Sequence, residues 1–223
     1  VQSRIKRILG YSAIAHAGYM LVPVLDGSDA GVSATLYYLV VYAAMTLGAL
    51  AVVVVLGRPG ADGRHDVDLD DLRGLARRHG VLAAAFALFL LGLTGLPPTA
   101  GFLGKWYVFQ AAVGGGYAWL AVAVVVNSVL SAFYYLRPVV YMYVGEPADQ
   151  DEDARAMRIH LPSGVVIAAA AAVTGLALLV GRPLVDAART AGAAFETQSA
   201  EPVTGGATLF VPLPDLDRER DRP

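Results

Sequence analysis

The chain has 223 residues, of which 56% are hydrophobic and 16% charged, against roughly 25% charged in soluble domains. The apolar residues lie in long runs rather than amphipathic stripes, and the mean hydropathy is positive; this excludes an ordinary soluble fold and predicts a membrane protein of several helices. A net charge of −2 leaves no basic surface for nucleic acid, and the lack of cysteine excludes a disulfide framework, a thiolate metal site and iron–sulfur ligation.

A membrane helix needs about 20 apolar residues. The chain opens with Arg4, Lys6 and Arg7, and Val1 stands where a start methionine would, so a fragment or a processed product is expected. No signal-peptide pattern precedes the first apolar run. That run, the first predicted span, covers about 8–25 and is interrupted by Ser12 and His16. A short loop without Lys or Arg follows, then a second span over about 33–56. Loop 57–80 is charged, and Asp66 to Arg78 reads as an amphipathic surface helix capped by Gly80, either solvated or set against a partner subunit.

The third span, 81–113, is too long for one straight crossing. Pro97 and Pro98 remove two amide donors and bar a regular helix, and Gly95 and Gly101 add backbone freedom around them. A fourth span covers about 117–144, a charged loop 145–162, and a fifth span 163–180, nearly all Ala, Val, Leu and Gly. Residues 182–223 form a polar tail expected to be disordered, rich in Pro, Asp and Arg after residue 199. The expected architecture is an all-α membrane domain over 1–181, with five transmembrane helices and the third broken at Pro97-Pro98. The start and the two long loops hold ten basic residues, and the two short loops none. The start, 57–80 and 145–162 are therefore expected in the cytoplasm, with the C-terminus outside.

None of the five spans contains Asp or Glu, so the buried basic groups stand out: Lys105, His16 and Arg137. A charge at mid-membrane costs about 2.5–3.5 kcal/mol on insertion scales and marks a functional candidate. Snorkelling competes with that reading, because Lys105 is eight residues from Val113, about 12 Å along a helix. The helix break favours function. Free carbonyls at membrane depth are tolerated only inside protein or beside a hydrated cavity, and broken helices build ion sites. An imidazole titrates near pH 6.5 when unperturbed, which suits His16 to a proton relay, although a neutral histidine bonded to a neighbouring helix is the plainer alternative. Arg137 reads as an interfacial anchor or a partner for an acid elsewhere. Tyr42, Thr99 and Tyr135 are candidate channel-lining residues; packing is their default. No second His or carboxylate sits at ligand spacing in the spans, so no metal site is expected.

Three stretches, "KRILGYSAIAHAGYM" (6–20), "LTGLPPTAGFLGKWYVF" (93–109) and "NSVLSAFYYLRPVVYMYV" (127–144), resemble the subunit N family of bacterial respiratory complex I, the antiporter-like membrane chains of NADH–quinone oxidoreductase. The resemblance covers roughly 1–181. It implies the carboxy-terminal five helices of a fourteen-helix, proton-pumping chain of the bacterial plasma membrane. Lys105 matches the family's lysine in its broken helix twelve, and His16 its histidine in helix ten. By the same resemblance, NADH, flavin, iron–sulfur clusters and quinone belong to partner subunits. This chain would carry no redox centre and would act with other membrane subunits in the lipid bilayer. The family's glutamate–lysine pair and central lysine lie on earlier helices. Trp106 departs from the family's more usual Phe, and the tail after 199 has no family counterpart. A subunit of a multi-subunit cation/proton antiporter and a purely structural membrane module are the competing readings.

Overall fold

The computed structural model describes residues 2–57, 67–146 and 160–179. The predicted tail, 182–223, and most of loop 145–162 lie outside them. Seven helices appear among the described residues: α1 (Ile5–Leu21), α2 (Asp29–Leu56), α3 (Leu75–Arg78), α4 (Gly80–Thr94), α5 (Ala100–Gly114), α6 (Ala118–Val144) and α7 (Leu161–Leu179).

The first helix stops earlier than the apolar run suggests. Pro23 cannot donate to a continuing ladder, and it opens a 3-10 turn over Pro23–Asp26 that ends at Gly27 in the left-handed region. α2 starts earlier than expected because Ser28 caps it, its side chain accepting from the Gly31 N–H at 3.1 Å. Asp29 then sits in the first turn, where the helix dipole favours a negative charge.

The loop helix expected over Asp66–Arg78 is not formed. Val67 and Asp68 are instead held in extended form by the chain start: the Ile5 N–H donates to the Val67 carbonyl at 2.9 Å, and the Leu69 N–H to that of Ser3 at 3.1 Å. A 3-10 turn, Asp70–Leu72, follows, and Gly74 (φ 64°) turns the chain before the four-residue α3. Val67, Leu69, Leu72 and Leu75 are buried; these side chains enter the core from a folded-over strap rather than from one helix face. Arg73 fastens the strap, donating to Asp70 at 2.8 Å and lying 5.1 Å from the centre of the Tyr141 ring. Gly80 begins α4 rather than capping a helix before it.

Among the described residues four helices are long and apolar enough to cross a membrane: Ile5–Leu25 with its terminal turn, Asp29–Leu56, Ala118–Val144 and Leu161–Leu179. The remaining expected crossing, the third (81–113), is two helices of 15 residues each, α4 and α5, about 22 Å long apiece at 1.5 Å per residue. Neither alone matches a hydrocarbon core of about 30 Å.

α2 is the centre of the bundle and packs against α1, α4, α5 and α7. Its Met45 and Val52 join Phe86, Phe89 and Leu90 of α4 in the main core. The Tyr37 hydroxyl donates to the Ala177 carbonyl at 3.1 Å, filling an acceptor in the last turn of α7. α4 and α5 cross so closely that a Cβ on Gly101 would fall on the carbonyl oxygen of Gly92, a small-residue contact of the kind membrane helices use. Large apolar side chains such as Ile14, Val54 and Phe133 stand exposed on the outer faces. Such surfaces suit lipid or further membrane helices, not water.

Candidate functional site

The site begins where α4 ends. Gly95, at φ 80°, lets the chain turn back after Thr94. The Leu96 N–H donates to Leu91 O at 3.2 Å and the Gly95 N–H to Gly92 O at 2.9 Å, the paired bonds of a Schellman ending. Leu96, Pro97 and Pro98 carry the chain over, with a cis bond between the two prolines. Thr99 starts α5, its side chain accepting from the Phe102 N–H at 3.2 Å. Its oxygen therefore acts as a helix cap.

The last four carbonyls of a helix lack partners within it. In α4 these belong to Leu91, Gly92, Leu93 and Thr94. The first two are met by the turn. The other two are met by Lys105, whose Nζ donates to Leu93 O at 3.1 Å and to Thr94 O at 2.7 Å. The lysine sits in the second turn of α5 and reaches back across the break. It is 7% exposed, and among the described residues it forms no ion pair. Its charge is balanced by the carbonyl end of α4, where the helix dipole is negative. Snorkelling does not describe this geometry, since the ammonium turns inward. A Cβ on Gly95 would stand 2.8 Å from Lys105 Cδ and 3.2 Å from Nζ, so the glycine supplies both the turn and the space.

An ammonium has three N–H donors. Two go to carbonyls, and the same two survive in the neutral amine. The side chain can therefore keep its seat whether or not it holds the third proton. On that third side Nζ lies 5.2 Å from the centre of the Tyr19 ring.

His16 is 1% exposed and lies in a nest of phenols. Its Nδ1 is 2.7 Å from Tyr38 Oη and its Nε2 3.2 Å from Tyr135 Oη. In neutral imidazole one nitrogen donates and the other accepts, so one tyrosine accepts from the ring and the other donates to it. Exchange of the tautomer reverses both bonds and moves a proton across the ring. Tyr42 stacks on the imidazole with centroids 4.7 Å apart, and Tyr19 meets it edge-on at 5.5 Å. Tyr19 thus touches both titratable groups. Tyr38 can lie against α5 because position 104 is glycine: a Cβ there would stand 2.6 Å from Tyr38 Cδ2.

Of the residues singled out in the sequence, His16, Tyr42 and Tyr135 come together, with Lys105 one aromatic ring away. Tyr19 and Tyr38 were missed as partners. The signal for Tyr19 was its spacing, three residues beyond His16 on one face of α1; Tyr38 lies four before Tyr42 on α2. Arg137 stands apart, half-buried on α6 beside a cleft of about 320 Å³ between α1 and α6. Among the described residues no three His, Cys, Asp or Glu side chains gather as metal ligands do.

Known proteins resemble the chain as follows. The family model described as NADH:quinone oxidoreductase/Mrp antiporter, TM, matches residues 1–131. The NADH-quinone oxidoreductase subunit N 1 of Sorangium cellulosum is 46% identical over 183 residues, which is 81% of this chain and 35% of that protein. The subunit N of Rhodospirillum rubrum is 38% identical over 200 residues, 90% of this chain and 40% of that one. Among solved structures, respiratory complex I from Thermus thermophilus with bound Aureothin contains a chain 35% identical, with a TM-score of 0.59 over 80% of this chain and 40% of that chain. The Mrp complex from Dietzia sp. DQ12-45-1b gives a TM-score of 0.71 at 24% identity, over 86% and 43% of the two chains; that likeness is one of fold alone. The chain spans well under half the length of the curated relatives it matches.

Proposed function

The chain belongs to the NADH:quinone oxidoreductase/Mrp antiporter transmembrane family, and from that premise we propose that it carries protons across a bacterial plasma membrane as part of an NADH–quinone oxidoreductase. NADH oxidation and quinone reduction, with their flavin and iron–sulfur clusters, fall to partner subunits in this reading. α4 and α5 together form the third of five crossings, with the start and the charged loops in the cytoplasm and the C-terminus outside. Relatives named subunit N, at 38–47% identity, favour this over a cation/proton antiporter.

The observation that carries the proposal is the seating of Lys105. A buried lysine held by two backbone carbonyls, with no carboxylate partner among the described residues, retains those bonds in either charge state. It can take up and release its third proton without a large movement of the helix. His16, flanked by two hydroxyls, passes protons by tautomer exchange and is the neighbouring relay member. Tyr42 and Tyr135 fix the ring, and Pro97 and Pro98 keep the break open.

The test is the whole complex, purified and sealed in liposomes, with NADH oxidation and lumen acidification recorded together. Lys105→Ala in an assembled complex is expected to lose most proton transport. Parental proton yield per NADH in that variant would refute the role of Lys105.

A further inference from the structure

We infer that the cleft between α1 and α6 is a binding site for an anionic phospholipid, with the lipid phosphate on Arg137 and an acyl chain along the exposed face of α6. The inference stands apart from the proton-transport reading and needs only that these helices cross a membrane.

Arg137 lies inside α6, seven residues before its end at Val144, or about 10 Å along the axis. A helix of 27 residues is about 40 Å long, so each end extends about 5 Å past a hydrocarbon core of about 30 Å. The Arg137 backbone is then about 5 Å within the apolar layer, and its stem can lift the guanidinium to the headgroups. A guanidinium does not shed its charge, and among the described residues this one has neither a hydrogen bond nor an ion pair. An unpaired cation at this depth calls for an anion. Neither α1 nor α6 contains Asp or Glu, and a lipid phosphate is the anion found there. The fork of the guanidinium matches two phosphate oxygens.

The rest of the cleft fits the rest of the lipid. The strap over 67–79 holds the start of α1 and the last turns of α6 on one side of the bundle: it pairs with Ile5, and the Gly74 N–H donates to Tyr141 O at 3.3 Å. Gln2 therefore shares that end of the cleft with Arg137. The Gln2 side-chain oxygen accepts from the Arg4 N–H at 3.2 Å, which leaves its NH2 group to donate. Arg4, Lys6 and Arg7 add positive charge at the same end. Of the acids there among the described residues, Asp68, Asp70 and Asp71 accept from Ser3, Arg73 and the Asp68 N–H, and Glu146 lies two residues beyond α6. From Arg137 a row of exposed apolar side chains, Phe133, Leu130 and Val126, runs along one face of α6 at helical spacing. The row is about 16 Å long, the depth of one leaflet of a hydrocarbon core of about 30 Å. Ile8, Tyr11 and Ala15 of α1 form the facing wall. A cation at the interface above one leaflet of apolar groove is the pattern a phospholipid fills.

The experiment is photocrosslinking on the whole purified complex in phosphatidylcholine vesicles. One sample carries a trace of phosphatidylglycerol with a diazirine on its acyl chain, and the other a trace of phosphatidylcholine with the same tagged chain. Labelled peptides are identified by mass spectrometry. Phosphatidylglycerol is expected to label the 126–133 segment of α6 about five- to tenfold more than phosphatidylcholine, at least what one basic residue contributes at an anionic lipid surface. Arg137→Gln should abolish that preference. Arg137→Lys should keep part of it, since a point charge attracts phosphate without the fork. Excess inorganic phosphate should leave the labelling unchanged, because it has no chain to fill the groove. Equal labelling by the two lipids in the parent overturns the inference, and that comparison needs no variant. Full preference in an assembled Arg137→Gln complex overturns it too, as does competition by inorganic phosphate. A map of the parent complex in which a protein helix fills the cleft and sets a carboxylate against Arg137 does the same.

Discussion

Replacing Lys105 with Met is the sharpest perturbation the structure offers. Methionine keeps an unbranched stem of similar bulk beside Gly95 and removes only the nitrogen and its charge. Two charge-assisted bonds disappear, at 3.1 and 2.7 Å, worth about 1.5–3 kcal/mol each and so about 3–6 kcal/mol at most. Against this, a membrane-buried cation costing about 2.5–3.5 kcal/mol is no longer required. Leu96, Pro97 and Pro98 are exposed beside the freed carbonyls, so water can reach them if the break is hydrated. The opposing contributions leave a net change between about −0.5 and 3.5 kcal/mol, small enough for the complex to assemble. Proton transport, which needs a group that gains and loses a proton, should fall to background. The assay is thermal denaturation of the purified complex, followed by redox-driven acidification in liposomes. Failed assembly would make the lysine a structural cap first. Assembly with parental proton yield would refute the relay argument outright. Lys105→Arg is expected to assemble but not to restore transport, since a guanidinium does not release its proton in proteins.

Four further outcomes follow from the same geometry. Gly95→Ala should cost about 1–2 kcal/mol for its left-handed backbone and crowd Lys105, reducing transport without altering a titratable group; melting temperature and acidification rate check both parts. Gly101→Ala, whose Cβ meets the Gly92 carbonyl, should destabilise the α4–α5 crossing by about 1–3 kcal/mol or more, seen as a lower melting temperature or lost subunit in purified complex. Tyr38→Phe should impair transport more than Tyr135→Phe, because the bond it removes from His16 is 2.7 Å rather than 3.2 Å long; equal effects would argue against a directional Tyr–His–Tyr chain. His16→Ala should lower transport only partially, since water can enter the space and replace one relay member, and complete loss in an assembled complex would contradict that.

Composition and local chemistry determined much of this protein from the sequence. Long apolar runs have nowhere stable to go but a membrane, and two adjacent prolines cannot sit inside a helical ladder. Lys105 and His16 were legible as candidates because a charged or titratable group in an apolar span is costly and rare. The tertiary structure decided where these groups sit and what they bond to. That the ammonium of Lys105 seats on carbonyls eleven and twelve residues earlier depends on the hand of the turn at Gly95, which no residue count supplies. The phenols around His16 come from α1, α2 and α6, up to 119 residues apart, and tyrosine in a membrane helix reads equally as packing or interfacial belt until its neighbours are known. The strap over 67–79 shows the same limit. Its apolar spacing fits a helix locally, but backbone pairing with residues 3–5 and burial of Val67, Leu69, Leu72 and Leu75 outweigh that local preference, and those contacts exist only once distant parts of the chain have met.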